Sequence, residues 1–240
     1  MAGTASPFAV GPQLAKLKGA YPSARDVLEA VSEGRRATEV LARLWISEGI
    51  PFAFKNCPAI YEEFRAALAE RLELDAKQIS VAGSGRLGYS LAPSKWGSPY
   101  RAESSDLDMF AVSDDLFRRL CEDFTRWRAD YAEGRIQPPA SVDRTNWDNN
   151  RDETPGTIRR GFIDSMRVPN ETRYGGFLTL NRCLEHRWDI LQATDETLSC
   201  QSCPTLRCYR DWGAYEQQLV ISLQKVFEER SNGIPGSCPV

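Results

Sequence analysis

Ile79-Ser-Val-Ala-Gly83-Ser84-Gly85-Arg86-Leu87-Gly88, followed by Ser104-Ser105-Asp106-Leu107-Asp108-Met109-Phe110-Ala111-Val112, is the stretch whose reading decides the fold. Both pieces read as short buried strands, Ile79 to Gly83 and Asp106 to Val112, because apolar residues fill them and turn residues bound them. Side chains alternate along a strand, so Asp106 and Asp108 share one side, roughly 7 Å apart, while Leu107, Met109 and Ala111 face packing. Two neighbouring carboxylates raise each other's cost of ionising. A divalent cation between them removes that cost, and Mg²⁺ suits the place, since it takes one or two carboxylates and fills the rest of its shell with phosphate and water. The first piece supplies the phosphate holder. Gly83 has no Cβ to obstruct a triphosphate, and backbone N–H groups of the turn, with the Ser84 hydroxyl, can donate to its oxygens. Gly88 lets the next element pack close to that turn. An isolated Gly-Ser pair or Asp-x-Asp says little, the latter being commonly a solvated turn. Here the second aspartate runs into Met-Phe-Ala-Val, and two unpartnered carboxylates at the edge of a buried strand are costly unless they bind something.

The strand-Gly-Ser-x-x-x-Gly element followed by Ser-Asp-Leu-Asp resembles the DNA polymerase beta-like nucleotidyltransferase superfamily, over roughly residues 58 to 113, about a quarter of the chain. The resemblance implies an NTP bound with two metal ions, Mg²⁺ or Mn²⁺. It implies that Gly83 and Ser84 hold phosphate and that Asp106 and Asp108 hold metal; Arg86, Gly88 and Ser105 are the further nucleotide-binding candidates. A third metal-binding carboxylate on a later strand is also implied. Asp164, in Gly161-Phe-Ile-Asp164-Ser-Met-Arg-Val-Pro169, follows an apolar run and is the first choice for that catalytic and metal-binding role; a turn or surface loop is its bland alternative. Asp211 is the rival, with a helix N-cap as its bland reading. The family's acceptors include RNA ends, nucleotides, proteins and small molecules, and nothing in the chain chooses among them. A non-catalytic nucleotide-binding or regulatory module on the same fold is the alternative function.

Working outward, Ser23 and Asp26 form a capping pattern ahead of Val27, Leu28, Val31, Val40, Leu41, Leu44 and Trp45 at helical spacing, with Gly34 a candidate break and Gly49 the stop. Pro58 opens a helix with Ile60, Phe64, Leu68 and Leu72 at intervals of four. Gly85 to Gly88 opens a turn that runs on through Pro93, Gly97 and Pro99. Ser113 caps a third helix, with Asp114 and Asp115 in its positive first turn and Gly134 past its end. Leu180, Leu184, Trp188 and Leu191 suggest a fourth, Thr205 to Tyr209 a strand, and Tyr215, Leu219, Leu223 and Phe227 a last helix. Residues 135 to 176 are the least legible, and such an excursion inside a compact domain is commonly functional. The expected class is α+β (mixed α/β), a small mixed sheet flanked by helices with extra N- and C-terminal helices. Residues 23–230 form the domain, and 1–22 and 231–240 are tails.

Composition is that of a globular domain, 42% apolar and 26% charged, so disorder is excluded as the organising principle. With 30 basic against 33 acidic residues the surface as a whole does not attract nucleic acid, although a cleft can be locally basic. No stretch approaches the ~20 apolar residues of a membrane span, and the N-terminus lacks the pattern of a secretory signal. An odd count of seven cysteines does not suit a disulfide framework, and the cytoplasm is the expected compartment. Cys200-x-x-Cys203 with Cys208 and His186 has zinc-ligand types at loose spacing; free thiols are the stronger reading. Arg159, Arg160, Arg167 and Arg173 crowd the illegible stretch as a solvated basic loop or as forks for phosphate. Arg86 and Lys95, nearer the Gly-Ser turn in sequence, share that choice. Trp147 is either a loop anchor or a base-stacking platform.

Overall fold

The computed structural model describes residues 10–194 and 203–232. The chain is α+β, with a four-stranded mixed sheet of order β1-β2-β4-β3 among helices. Two helices come first, α1 (Ala24–Val31) and α2 (Arg35–Leu41). Ser23 caps α1 by accepting from the Asp26 N–H, as the sequence suggests. The expected break falls at Gly34, whose φ of 102° favours glycine, and past α2 the helix continues as a π-helical turn over Ala42–Ser47. Leu14 and Leu17, placed in the expected tail, are buried with Val27, Leu41 and Leu223 in a satellite core.

Helix α3 (Pro58–Leu72) carries the proline at its first turn and leads to β1 (Ile79–Val81). The stretch read as a glycine turn is a short helix, α4 (Gly83–Leu87), stopped by the left-handed Gly88. Strand β2 (Asp108–Val112) starts two residues later than expected, so Asp106 precedes it. Ser113 accepts from the Leu116 N–H to cap α5 (Asp114–Ala132). The illegible stretch contains α6 (Ser141–Arg159), with Pro155 inside it, and the edge strand β3 (Phe162–Asp164). Helix α7 (Gly175–Thr194), β4 (Thr205–Tyr209) and α8 (Trp212–Ser231) complete the fold.

Strand β2 runs antiparallel to β1 and parallel to β4, and β4 runs antiparallel to β3. Alternation then sorts the sheet into two faces. Val81, Met109, Ala111, Ile163, Leu206 and Cys208 enter the main core with residues of α3, α5 and α7. The opposite face carries Phe110, Val112, Phe162 and Tyr209, and α8 lies on it through Ala214 and Tyr215, the Tyr215 ring stacked 4.2 Å from Phe110. Trp147 is a core anchor, edge-on to Trp127 at 5.7 Å and to Tyr131 at 5.3 Å, which removes it as a stacking platform. Among the described residues no helix is long and apolar enough to cross a membrane.

Candidate active site

The site forms where β1 ends and β2 and β4 begin, on the face that α8 covers only in part. Exposure alternates from Asp106 to Met109, with both aspartates exposed and both intervening apolar residues buried, so the two carboxylates emerge on one side as their spacing requires. The Ala82 N–H donates to the Asp108 carbonyl at 2.8 Å, which fixes the Gly83 turn against the start of β2. Gly83 has φ of 59°, and a Cβ built there would lie 2.9 Å from Asp108 Oδ2. Only a residue without a side chain lets the backbone come so close to this carboxylate. Ser84 follows, half-buried. Thr205 Oγ1 donates to Asp108 Oδ1 at 3.2 Å from the neighbouring strand.

Asp108 reaches solvent, yet the cleft walls crowd it. Desolvation is the first cause that pushes its pKa up, and the nearby Asp106 and Asp164 charges add to it against the Thr205 hydrogen bond and Arg207. A carboxylate held above its ordinary range in this way gains from a cation. The cleft around it has a volume of about 420 Å³, with Asp108, Phe110 and Arg207 on its floor, Ala92 and Pro93 at one side and Gln218 and Ser222 of α8 above. Larger cavities lie elsewhere, one of about 670 Å³ beside Trp212 and one of about 540 Å³ at the start of α7, and neither sets a glycine turn against a carboxylate pair.

Asp164 does stand on a strand and on the same sheet face, its register partner being Arg207. It lines the same cleft as Asp108 but stands on a strand further across the sheet. Strand β4 lies between β2 and β3, and strands are spaced ~4.8 Å apart, so Asp164 is roughly 10 Å across the sheet from the β2 line. Arg207 Nε holds its Oδ1 at 2.5 Å and Arg167 its Oδ2 at 3.3 Å. Beside Asp108 on β4 stands Thr205, not an acid. Among the described residues no three histidine, cysteine or acidic side chains converge as a metal-binding group. The structure thus brings Asp164 to the same cleft as Asp108 but not into one three-carboxylate cluster, its carboxylate being engaged by Arg207 and Arg167. The pair Asp106 and Asp108 fits a nucleotide-bound Mg²⁺, which needs only one or two carboxylates. The rival, Asp211, is the N-cap of α8, accepting from the Ala214 N–H at 2.7 Å.

Three of the residues expected to touch nucleotide have other work. Arg86 is buried, its Nε donating to the Trp45 carbonyl at 3.0 Å and its Nη1 to that of Gly49 at 2.9 Å, so it ties α4 to the π-helical turn and the residues after it. Gly88 is left-handed, and a Cβ there would meet the Phe52 ring at 2.7 Å, so its smallness serves packing. Ser105 closes the turn before Asp106, its Oγ accepting from the Arg101 N–H at 3.0 Å. The sequence reading missed Thr205 and Arg207, which enter the site through β4, where ordinary strand alternation opposite Asp108 and Phe110 is the one signal for them. Of the loose zinc pattern, Cys200 lies outside the described residues, Cys203 is exposed and Cys208 is buried on the core face. His186 is exposed on α7. Comparison with family models, with curated proteins and with solved structures finds no match for this chain.

Proposed function

We propose that this protein is a metal-dependent nucleotidyltransferase that moves an NMP from an NTP to a hydroxyl acceptor. The observation that carries the reading is the Gly83 backbone packed against the Asp108 carboxylate at the edge of an open cleft. The triphosphate lies along the Gly83-Ser84 turn, where backbone N–H groups and the Ser84 hydroxyl meet its oxygens. Asp106 and Asp108 would hold the ion, Mg²⁺ or Mn²⁺, that accompanies it, and that ion would supply positive charge against the pyrophosphate leaving group. The acceptor oxygen forms a bond to the α-phosphorus as the bond to the α–β bridging oxygen breaks. Pyrophosphate leaves, and the acceptor proton passes to a carboxylate or to solvent. Asp164 faces the acceptor side and serves as base once Arg207 is drawn off it. The cytoplasm, with its NTP and Mg²⁺, is the natural setting.

A second reading, nucleotide binding without turnover, is favoured by the Arg207 and Arg167 contacts that occupy Asp164. One experiment separates the two. The purified chain is incubated with each labelled NTP and Mg²⁺ or Mn²⁺, with and without cellular RNA and small-molecule extract. Labelled product with released pyrophosphate supports transfer. Binding with no product under any condition supports the second reading, and no binding refutes both.

A further inference from the structure

Across the sheet, the order β1-β2-β4-β3 places the Gly83 turn at one edge, Asp108 in the middle and β3 at the far edge. The donor turn therefore has a counterpart on the other side of the cleft, and that side is rich in arginine. Arg160 and Arg207 both stand over the Phe162 ring, their guanidinium carbons 4.9 Å and 4.6 Å from its centroid. Phe162 thus links the arginine that holds Asp164 to a second cavity, about 450 Å³, lined by Arg159, Arg160, Arg210, Asp211, Gln218 and Ile221 among others. Gln218 lines this cavity and the Asp108 cleft alike, and its Oε1 accepts from Arg160 at 3.4 Å. The two spaces adjoin.

Charge in this cavity is unbalanced. Its one acidic residue, Asp211, is committed to Arg210 Nε at 2.8 Å and to the Ala214 N–H. Arg159 and Arg160 are exposed and have no carboxylate partner among the lining residues. Cations at the C-terminus of α6 suit its dipole, yet Arg210 comes from a different element, the end of β4, and converges on the same space. The scaffold is fixed. The Gly161 carbonyl accepts from the Arg210 N–H at 2.9 Å, and a Cβ at Gly161 would meet that of Ala214 at 2.7 Å. In a chain whose net charge is −3, such a cluster beside a reaction cleft is matched to an anion. Planar guanidinium forks suit phosphate in particular.

Resting on the transferase reading, we propose that the Arg159, Arg160 and Arg210 cavity receives a phosphate group of the acceptor. The acceptor is then a phosphate-bearing hydroxyl compound, a free nucleotide or the nucleotide at an oligonucleotide end, and not a protein or an uncharged small molecule.

The test uses the full chain and the probe pApA, a 5′-phosphorylated dinucleotide, against ApA, which lacks that phosphate. Binding is measured by equilibrium dialysis in buffer with EDTA, so that no metal-borne site contributes. Wild type binds pApA more tightly than ApA, and the Arg159→Gln/Arg160→Gln variant loses pApA affinity by at least about tenfold, the scale of one charge-assisted contact. Arg159→Gln alone gives a smaller loss in the same direction, and an unchanged circular dichroism spectrum with unchanged ATP–Mg²⁺ binding shows that both variants are folded. An AMP arm identifies the source: AMP equal to pApA assigns a free nucleotide, and AMP much weaker assigns an oligonucleotide end. Equal binding of pApA and ApA, or an unaltered pApA affinity in the double variant, overturns the proposal. Wild type that fails to bind ATP–Mg²⁺ at all overturns the transferase reading first and the acceptor role with it, a result separable from the pApA comparison.

Discussion

Replacing Gly83 by alanine tests the contact on which the functional reading rests. Its φ of 59° lies in the left-handed region, where a Cβ costs about 1–2 kcal/mol. Alanine also narrows the unfolded ensemble, which offsets roughly 0.5 kcal/mol of that. The net loss is about 1 kcal/mol, a fall in Tm of about 2–4 °C for a domain of this size. The new Cβ must also move Asp108 Oδ2, which stands 2.9 Å from its ideal position. That atom is the tip of a side chain, so moving it adds little to the strain but shifts the carboxylate proposed to hold the metal. Gly34→Ala is the control. Its φ of 102° makes alanine at least as strained, and nothing lies within 4 Å of its Cβ. Thermal melts should show both variants destabilised, whereas titration calorimetry should show ATP–Mg²⁺ affinity lowered by about tenfold or more in Gly83→Ala alone. Wild-type affinity in Gly83→Ala would refute the placement of the triphosphate.

The raised pKa of Asp108 means that its ionised form costs stability above that pKa and that the cost vanishes as pH falls below the ordinary carboxylate range. Asp108→Asn should therefore raise Tm near neutral pH, with the gain shrinking to nothing at about pH 3, and it should abolish turnover; a Tm gain that grows on acidification would contradict the assignment. Asp164→Asn should leave ATP–Mg²⁺ affinity nearly unchanged and remove kcat, because the amide cannot take up the acceptor proton. Asp211→Asn, by contrast, should cost no more than about 1 kcal/mol as a cap and spare kcat. Steady-state kinetics on both variants decides, and a dead Asp211→Asn beside an active Asp164→Asn would reverse the assignment. Arg86→Leu removes the hydrogen bonds to the part-buried Trp45 and Gly49 carbonyls and should lower stability by about 1–3 kcal/mol in urea denaturation; wild-type stability with lost ATP binding would return Arg86 to the phosphate.

Legibility in the sequence followed the range of the interactions. Leu107, Met109 and Ala111 announced β2 because alternation is local, and Ser113 announced α5 because a cap reaches only three residues. Helix α6 stayed hidden because its 19 residues carry a proline and few apolar groups, Trp147 among the few that enter the core. Arg86 sits near the phosphate turn in sequence, but its partners are carbonyls 41 and 37 residues away. The separation of Asp164 from the carboxylate pair depends on β4 entering between β2 and β3, an outcome of sheet order that no spacing in the chain encodes.

The central parallel pair β2–β4 has a consequence for how the molecule comes to be made. Asp108 and Thr205 are partners 97 residues apart in the chain. At a synthesis rate of ~5–20 residues per second, β2 leaves the ribosome roughly 5–20 s before its neighbour exists. Through that interval β2 has only β1 beside it, and its other edge, with Met109 and Ala111 awaiting their core, is open to pairing with foreign strands. The carboxylate side of the cleft therefore closes late, after the stretch holding α5, α6 and α7 has been made, as expected for contacts of high sequence separation. A fragment ending near residue 113 would contain the Gly-Ser turn and both aspartates and still lack a finished site. Excised alone, the motif is a two-stranded ribbon with an unprotected edge.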